Sequence, residues 1–249
     1  MAATDQLLDQ ALARDPARPL LTYYDDATGE RAELSAVTLA NWVAKTANLL
    51  TDELALEPGD RVAVILPAHW QTAAVLLAIW AAGGVTTADP HGAAVAFTDT
   101  THLNRVRAAR PGEVVALSLN PLGAPFGTPP EGALDFSDAV RVHGDRYSSR
   151  IPDDAPAVDD DGRPVSGAEL MAAARAQATE LGLMVGDRIL STLPWRDPAD
   201  WVDGLLSPLT GGASLVLCAH PNRHDLLHRA EAEQVTATLG VSLSGIRTL

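Results

Sequence analysis

One stretch of this sequence occurs twice, and the repetition constrains the fold more than any other feature. Residues Leu54–Pro67 read Leu-Ala-Leu-Glu-Pro-Gly-Asp-Arg-Val-Ala-Val-Ile-Leu-Pro, and Leu181–Pro194 read Leu-Gly-Leu-Met-Val-Gly-Asp-Arg-Ile-Leu-Ser-Thr-Leu-Pro. Seven of the fourteen positions are identical in fixed register, at an offset of 127 residues. Such self-similarity indicates duplication of a structural unit. We therefore expect two related α/β halves in one globule.

The first copy has the pattern of a β-α-β unit. Pro58-Gly-Asp60 is a turn signal directly before the β-branched run Arg61–Leu66, which predicts a strand buried on both faces. Ala68–Ala82 is apolar at helical spacing and ends at Gly83-Gly84, a typical helix C-terminus. Val85–Ala88 then predicts a second strand, parallel to the first. The second copy follows the same order and predicts the same unit.

The boundary between the halves falls in an acidic tract. Asp153–Asp161 contains five aspartates, and we interpret it as a solvated linker or turn rather than as a metal site. The chain then divides into residues 1–152, a first α/β half with an N-terminal hairpin and helix, and residues 153–249, a second α/β half. We predict an α/β fold in which these two intimately packed halves contain mostly parallel sheets.

Composition and charge exclude several classes of partner. The chain has 249 residues and a formal net charge of −14, whereas nucleic acids and anionic membranes require basic patches. No apolar run approaches the roughly 20 residues of a spanning helix, and no signal region precedes the first predicted helix. We therefore expect a cytoplasmic protein that binds neither nucleic acid nor membrane. The one cysteine, Cys218, follows an apolar run that predicts a buried strand.

Segments spread over most of the chain carry a family resemblance. They are Leu56–Pro67 with its helix and Ala88-Asp-Pro90, the hairpin-like Asp25–Arg31, and the second copy through Ala213. Together they resemble the N-terminal core of the AMP-forming acyl-CoA synthetases, the adenylate-forming superfamily, and most of all a small group of uncharacterised actinobacterial AMP-binding-like proteins. The resemblance implies the α/β fold of that region, with the second half truncated relative to the family.

The chain departs from this family where the family binds ATP phosphates. The family has a Ser/Thr/Gly-rich loop ending in Pro-Lys there, because backbone N–H groups of a tight glycine loop bind anions. The matching segment reads Asp159-Asp-Asp-Gly-Arg-Pro-Val-Ser-Gly167, and no lysine follows Pro164. Three adjacent aspartates repel a triphosphate, and the resemblance places the family's catalytic lysine beyond Leu249. We therefore predict no catalytic residues, no cofactor and no metal.

A candidate ligand pocket lies at the predicted strand ends, because open α/β sheets bind ligands outside the carboxyl ends of their strands. The seven residues that follow these ends in the two copies are Trp195, Arg196, Asp197, His69, Trp70, Asp89 and His91. An aromatic wall with an arginine suits a small carboxylate or acyl ligand. The alternative is that the tryptophans Trp70 and Trp201 pack helices on the sheet and Arg196 pairs with Asp197 or Asp200.

The sequence pattern is compatible with two classes of function. One is a non-catalytic homologue of the AMP-forming acyl-CoA synthetases, acting as an interaction or small-ligand-binding module. The other is an acyl-CoA synthetase-like enzyme with residual activity or completed by a partner chain. The departure at the phosphate loop favours the module. We also expect a homodimer, because further family strands and helices cover the second half, and sheet edges and apolar patches are rarely left bare.

Overall fold

Two mostly parallel β-sheets form the framework of the protein, as the sequence predicts. The computed structural model describes residues 5–249. The strands in this range are β1 (Pro19–Asp25), β2 (Glu30–Ser35), β3 (Arg61–Ile65), β4 (Val85–Thr87), β5 (Val95–Thr98), β6 (Glu113–Ala116), β7 (Leu134–Asp135), β8 (Pro156–Asp160), β9 (Arg163–Ser166), β10 (Arg188–Ser191), β11 (Ser214–Ala219), β12 (Ala237–Leu239) and β13 (Arg247–Thr248).

Helices connect these strands. The α-helices are α1 (Asp5–Arg14), α2 (Ala36–Asn48), α3 (Trp70–Ala82), α4 (Leu103–Ala109), α5 (Phe136–Arg141), α6 (Gly167–Glu180), α7 (Pro198–Trp201), α8 (Ser207–Thr210) and α9 (Arg223–Ala232). A π-helical segment, Leu49–Glu53, follows α2, and another, Val202–Leu206, joins α7 to α8. Pro121–Gly123 forms a short 3₁₀ turn. None of the helices described is long and apolar enough to cross a membrane.

The strand order confirms the two predicted β-α-β units. The six-stranded sheet has the order β13-β12-β10-β11-β1-β2, and the seven-stranded sheet has the order β7-β6-β5-β3-β4-β8-β9. In the first unit β3 pairs in parallel with β4, and in the second unit β10 pairs in parallel with β11. Within residues 5–249, only the hairpins β1–β2 and β8–β9 are antiparallel.

A glycine begins the repeated turn in each unit. Gly59 has φ +96° and Gly186 has φ +92°, in the left-handed region that favours glycine. The N–H of Gly59 donates to the carbonyl of Gly83 at 2.8 Å, and that of Gly186 donates to the carbonyl of Gly212 at 3.0 Å. Each bond ties the start of one strand to the end of the unit's helix. The glycine therefore recurs because the same backbone bond recurs.

An aspartate stabilises the same turn in both units. The Oδ2 atom of Asp60 accepts a hydrogen bond from the N–H of Glu57 at 2.9 Å. In the second unit, Oδ2 of Asp187 accepts from the N–H of Met184 at 2.8 Å. A short carboxylate side chain that binds a backbone donor three residues earlier fixes the turn before the strand begins. This shared role accounts for the repeated Gly-Asp-Arg sequence.

The two antiparallel hairpins are exchanged between the repeats. The β1–β2 hairpin precedes the first unit, yet β1 pairs in parallel with β11 of the second unit. The β8–β9 hairpin precedes the second unit, yet β8 pairs in parallel with β4 of the first. Residues 1–152 and 153–249 therefore do not correspond to the two sheets, because each sheet contains strands from both halves. The exchange has no local sequence signal, since either hairpin could pair with either unit.

The acidic tract begins and ends in exposed turns, as the predicted solvated linker or turn requires, but its middle residues Pro156–Asp160 form strand β8. Ala157 and Val158 of β8 are buried, and Val158 pairs with Thr86 of β4. Only Asp161 and Gly162 form the turn to β9. A few apolar residues among five aspartates are a weak sequence pattern, and the burial of Ala157 and Val158 determines the structure of this segment.

Helix α3 lies at the centre of the protein and is buried along its whole length. All 13 of its residues are buried, and it contacts β1 of one sheet and β4 of the other. A helix that is apolar on every side is typical of such a layer between two sheets. It begins at His69, whose Nδ1 accepts a hydrogen bond from the N–H of Gln71 at 3.1 Å. It ends at Gly83, where φ is +84°.

An ion cluster attaches the end of α9 to the exchanged hairpin. The side chain of Glu233 is 9% exposed and accepts hydrogen bonds from Tyr24 at 2.5 Å, from Arg31 at 2.9 Å and from Arg188. Burial alone would raise the pKa of Glu233, but the hydrogen bonds from Tyr24, Arg188 and Arg31 outweigh it and lower the pKa from 4.5 to about 2. The cluster connects β1, β2 and β10 to the last turn of the helix.

Removing the Glu233 charge is expected to destabilise the protein in a pH-dependent way. Glu233→Gln should lower the free energy of unfolding at neutral pH by about 1.5–3 kcal/mol, the range for hydrogen bonds to a charged group. Because the folded pKa lies below the unfolded value, the stabilisation is present above pH 4.5 and is lost as the pH falls toward 2. Urea unfolding at several pH values measures it, with Glu231→Gln on exposed α9 surface as control. A difference between Glu233→Gln and the native chain that does not shrink at low pH would contradict this account.

Candidate functional site

A cleft of about 450 Å³ lies where the carboxyl ends of strands from both sheets meet. Residues 64–68 border it from the end of β3, residues 192–196 follow β10, and residues 218–221 include the end of β11. His102 and Arg105, at the start and in the middle of α4, complete the wall. Both Leu-Pro pairs therefore border one cleft, which is the edge where open α/β sheets bind ligands.

The indole of Trp195 forms part of the floor of the cleft. It is 1% exposed and packs against Gly204, where an added Cβ would lie 2.2 Å from Nε1 of the indole. The Nε1 atom has no hydrogen-bond partner among the described residues. Only glycine at position 204 leaves room for this packing. Trp195 therefore borders the cleft with nearly all of its side chain buried.

Arg196 lies at the rim of the cleft with its side chain 75% exposed. Its Nε donates to Oδ2 of Asp200 at 3.0 Å, which is the pairing considered as the alternative for this arginine. Exposed ion pairs contribute about 0–1 kcal/mol, so the guanidinium can exchange partners at small cost. Asp197 accepts from the N–H of Asp200 at 3.0 Å and caps α7.

His69 and Trp70 lie in the protein interior and do not border the cleft. His69 is 1% exposed, and its burial lowers its pKa below the usual value. Its Nε2 lies 3.9 Å from Oε2 of the buried Glu30, while Nε1 of Trp70 donates to Oε1 of the same carboxylate at 3.4 Å. The packing alternative is therefore correct for Trp70, which also contacts the ring of Trp42 edge-on. After Pro67 and Ala68 the chain turns inward and starts α3.

Asp89 and His91 lie outside the cleft. Nδ1 of His91 and Oδ1 of Asp89 are 2.7 Å apart, and both side chains are exposed. The hydrogen bonds from His91 lower the pKa of Asp89. Asp89 borders a neighbouring groove of about 470 Å³ together with Asp197 and Asp159–Asp161. No group of three or more His, Cys, Asp or Glu side chains in the described range is arranged to hold a metal ion.

Two histidines that border the cleft, His102 and His220, are each paired with an aspartate, and the sequence did not predict either pair. Nδ1 of His220 lies 2.8 Å from Oδ1 of Asp25, and Nδ1 of His102 lies 2.8 Å from Oδ1 of Asp99. A carboxylate on one ring nitrogen fixes the orientation of an imidazole. His220 also has φ +47°, a conformation uncommon outside glycine. His220 directly follows β11, so the rule that ligands bind at the carboxyl ends of strands could have identified it from the sequence.

Arg105 is a second residue that the sequence did not indicate. It borders both the cleft and the acidic groove, and its side chain is exposed. In the part of the chain that the structure describes, its guanidinium has no ion pair or hydrogen bond. The position of α4 beside the strand ends depends on tertiary packing, so sequence spacing does not reveal it. Arg105 and Arg196 are thus the two arginines at the cleft.

The segment that matches the phosphate-binding loop is a tight β-hairpin. Asp160 of β8 pairs with Arg163 of β9, so Asp161 and Gly162 alone connect the strands. Their φ values, +49° and +86°, are those of a two-residue type I′ turn. The N–H of Gly162 donates to Oδ1 of Asp159 at 2.7 Å, so its own neighbour occupies this donor. The turn therefore presents carboxylates where a phosphate loop presents backbone donors.

The fold places the chain in the class of the N-terminal region of adenylate-forming enzymes. The AMP-binding enzyme profile matches residues 8–115. Acetoacetyl-CoA synthetase from Streptomyces lividans has 23% identity and a TM-score of 0.79 over 96% of this chain and 42% of its own. An acyl-CoA synthetase from Brucella canis has 19% identity and a TM-score of 0.78 over 96% of this chain and 47% of its own. The chain thus spans less than half of either protein, and these identities show the fold alone.

Family membership follows from a longer sequence match. A TIGR03089 family protein from Mycobacterium tuberculosis is 48% identical over 238 residues, which cover 94% of this chain and 96% of that protein. The chain belongs to the TIGR03089 family. The resemblance to the N-terminal region of the AMP-forming acyl-CoA synthetases, expected from the repeated segments, is confirmed.

A methyl group at position 204 is expected to displace Trp195 from the floor of the cleft. Gly→Ala in a helical segment ordinarily adds about 1 kcal/mol of stability. Here Gly204→Ala should instead lower the free energy of unfolding by about 1–3 kcal/mol, the cost of overpacking. Urea unfolding measures the sign of the change. The cost should fall when Gly204→Ala is combined with Trp195→Phe, and a stabilised Gly204→Ala variant would show that the contact does not constrain the indole.

Proposed function

We propose that this protein is a non-catalytic homologue of the AMP-forming acyl-CoA synthetases that binds a small carboxylate or acyl ligand in the cleft. The observation that carries the proposal is the two-residue turn at Asp161-Gly162 in place of a phosphate-binding loop. A type I′ turn has no series of free backbone N–H groups with which to surround a triphosphate. Adenylation lacks its principal binding element here.

The charge around this turn opposes nucleotide binding as well. Asp159–Asp161 share the acidic groove with Asp89 and Asp197. Like charges raise the free energy of a bound triphosphate unless a cation intervenes. Arg61 Nε lies 2.8 Å from Oδ2 of Asp159 and is thereby paired within the protein. The groove therefore disfavours the anion that the family's reaction requires.

The cleft itself favours a small anion with an apolar body. Its volume of about 450 Å³ lies within the ~300–1,000 Å³ typical of ligand sites. Leu66 and Leu193 supply apolar surface, while the guanidinium groups of Arg105 and Arg196 lie at its edge. Guanidinium and carboxylate groups form strong, charge-assisted hydrogen bonds. This combination supports a carboxylate ligand more than a neutral one.

The competing proposal is an acyl-CoA synthetase-like enzyme that has residual activity or is completed by a partner chain. No specific contact of the described residues favours it. The homodimer and the cytoplasmic location also stay predictions from the sequence.

The purified chain is expected to show no adenylation activity. ATP–pyrophosphate exchange with fatty, aryl and amino acids should stay at background, because the turn at Asp161-Gly162 cannot hold the triphosphate. ATP should also leave the melting temperature unchanged, whereas a ligand at 100 times its Kd adds about 2.7 kcal/mol of stability. An active acyl-CoA synthetase in the same assay is the positive control. Acid-dependent exchange from this chain alone would refute the non-catalytic proposal.

Binding of a small carboxylate in the cleft is expected to depend on its apolar wall and on Arg105. Butyrate and benzoate titrated calorimetrically should bind the native chain, and Ala68→Trp, which fills the cleft, should abolish the heat. Ala173→Trp on the exposed face of α6 is the matched control and should bind normally. Arg105→Gln should weaken binding about tenfold, or 1.4 kcal/mol. Equal binding by Ala68→Trp and Ala173→Trp would show that the cleft is not the site.

A further inference from the structure

A second cavity, of about 320 Å³, lies at the opposite edge of the six-stranded sheet from the cleft. It is bordered by Pro19 and Leu20 at the amino end of β1 and by Ser214 at the amino end of β11. Helix α1 covers it, and the starts of α2 and β11 close its base. The cavity is therefore separate from the cleft, which lies at the carboxyl ends of the same strands.

Apolar side chains form one part of the cavity lining, and the exposed Gln10, Arg14, Asp15 and Arg18 form a polar rim. The apolar side chains come from α1, β1, α2 and α8, and they include Leu7, Leu8, Ala11, Leu20, Ala36 and Leu209. The two alanines, together with Ala213 at the start of β11, leave the space that larger side chains would occupy. Ligand pockets combine apolar surface with a few polar groups, so this solvent-open cavity is a candidate site for a ligand with an apolar body and a polar head.

Two arginines lie at the mouth of the cavity. The guanidinium of Arg14 packs on the backbone of Gly212, where an added Cβ would lie 2.2 Å from Nη1. It has no hydrogen bond or ion pair within the described residues. Nη2 of Arg18 donates to the carbonyl of Gly186 at 3.2 Å, which leaves its other N–H groups available. Asp15 also borders the cavity, but its Oδ1 accepts from the N–H of Ala17 at 3.0 Å.

We propose that this cavity binds a medium-chain aliphatic carboxylate. The hydrocarbon chain would lie among the leucines and alanines, and the carboxylate would bind Arg14 and Arg18 at the mouth. We infer a carboxylate head group from charge complementarity, because guanidinium groups bind carboxylates through paired N–H donors. The proposal uses no residue of the cleft, so it does not depend on the function proposed there.

Octanoate binding to matched variants of α1 tests the apolar part of the proposal. In the Ala68→Trp background, which removes binding in the cleft, calorimetric titration of the full chain should show saturable binding of octanoate, and Ala11→Phe, which fills the second cavity, should abolish it. Ala13→Phe in the same background places the same side chain on the exposed face of the helix and should bind as the Ala68→Trp chain does. Absence of saturable binding in the Ala68→Trp background, or equal binding after Ala11→Phe, would overturn the proposal.

Arginine variants test whether the carboxylate binds at the mouth of the cavity. They remain informative even if circular dichroism shows that Ala11→Phe does not fold. In the Ala68→Trp background, Arg14→Gln and Arg18→Gln should each weaken octanoate binding about tenfold. Both variants should bind 1-octanol with the affinity of the Ala68→Trp chain, because the alcohol has no charge for the guanidinium to recognise. If 1-octanol binds as tightly as octanoate, or if neither arginine variant weakens octanoate, the carboxylate assignment is wrong.

Discussion

The pairing of each hairpin with the other repeat's unit is the constraint on which the structure depends. A unit such as β10–β11 would leave one side of β11 without a backbone partner, and exposed strand edges promote aggregation. The hairpin strand β1 supplies that partner from the far end of the chain, and β8 does the same for β4. Each sheet therefore contains strands from both halves. Helix α3 is buried along its whole length, and it contacts a strand of each sheet as well as α2.

The same exchange creates the cleft and changes its chemistry. Strands of both sheets bring their carboxyl ends together, so Leu66-Pro67 and Leu193-Pro194 border one space. The exchanged β8–β9 hairpin also carries Asp159–Asp161 to the edge of this region. Adenylate-forming enzymes of the same fold bind nucleotides, whereas this chain presents carboxylates at that edge. The fold is kept while the site differs, which is why fold alone does not establish an activity.

The candidate site shows how far residue spacing can be used. The rule that ligands bind at strand ends selected Trp195 and Arg196, and both residues border the cleft. It was misleading for His69 and Trp70, because the chain enters α3 immediately after Ala68 and buries both rings. It missed Arg105 and the Asp25–His220 pair, whose members are distant in sequence. Spacing identifies which chain segment reaches the edge, but side-chain direction depends on the packing around it.

The sequence by itself determined the repeated β-α-β unit. Gly59 and Gly186 share a backbone conformation that other residues adopt at a cost, and Asp60 and Asp187 accept equivalent local hydrogen bonds. These interactions lie within a few residues of each other, so the local pattern specifies them. Only the tertiary structure decided which unit each hairpin joins and that the acidic tract contains a buried strand. Those outcomes depend on contacts between distant segments, and the free energy of burying Val158 against β4 does not appear in any local window of the sequence.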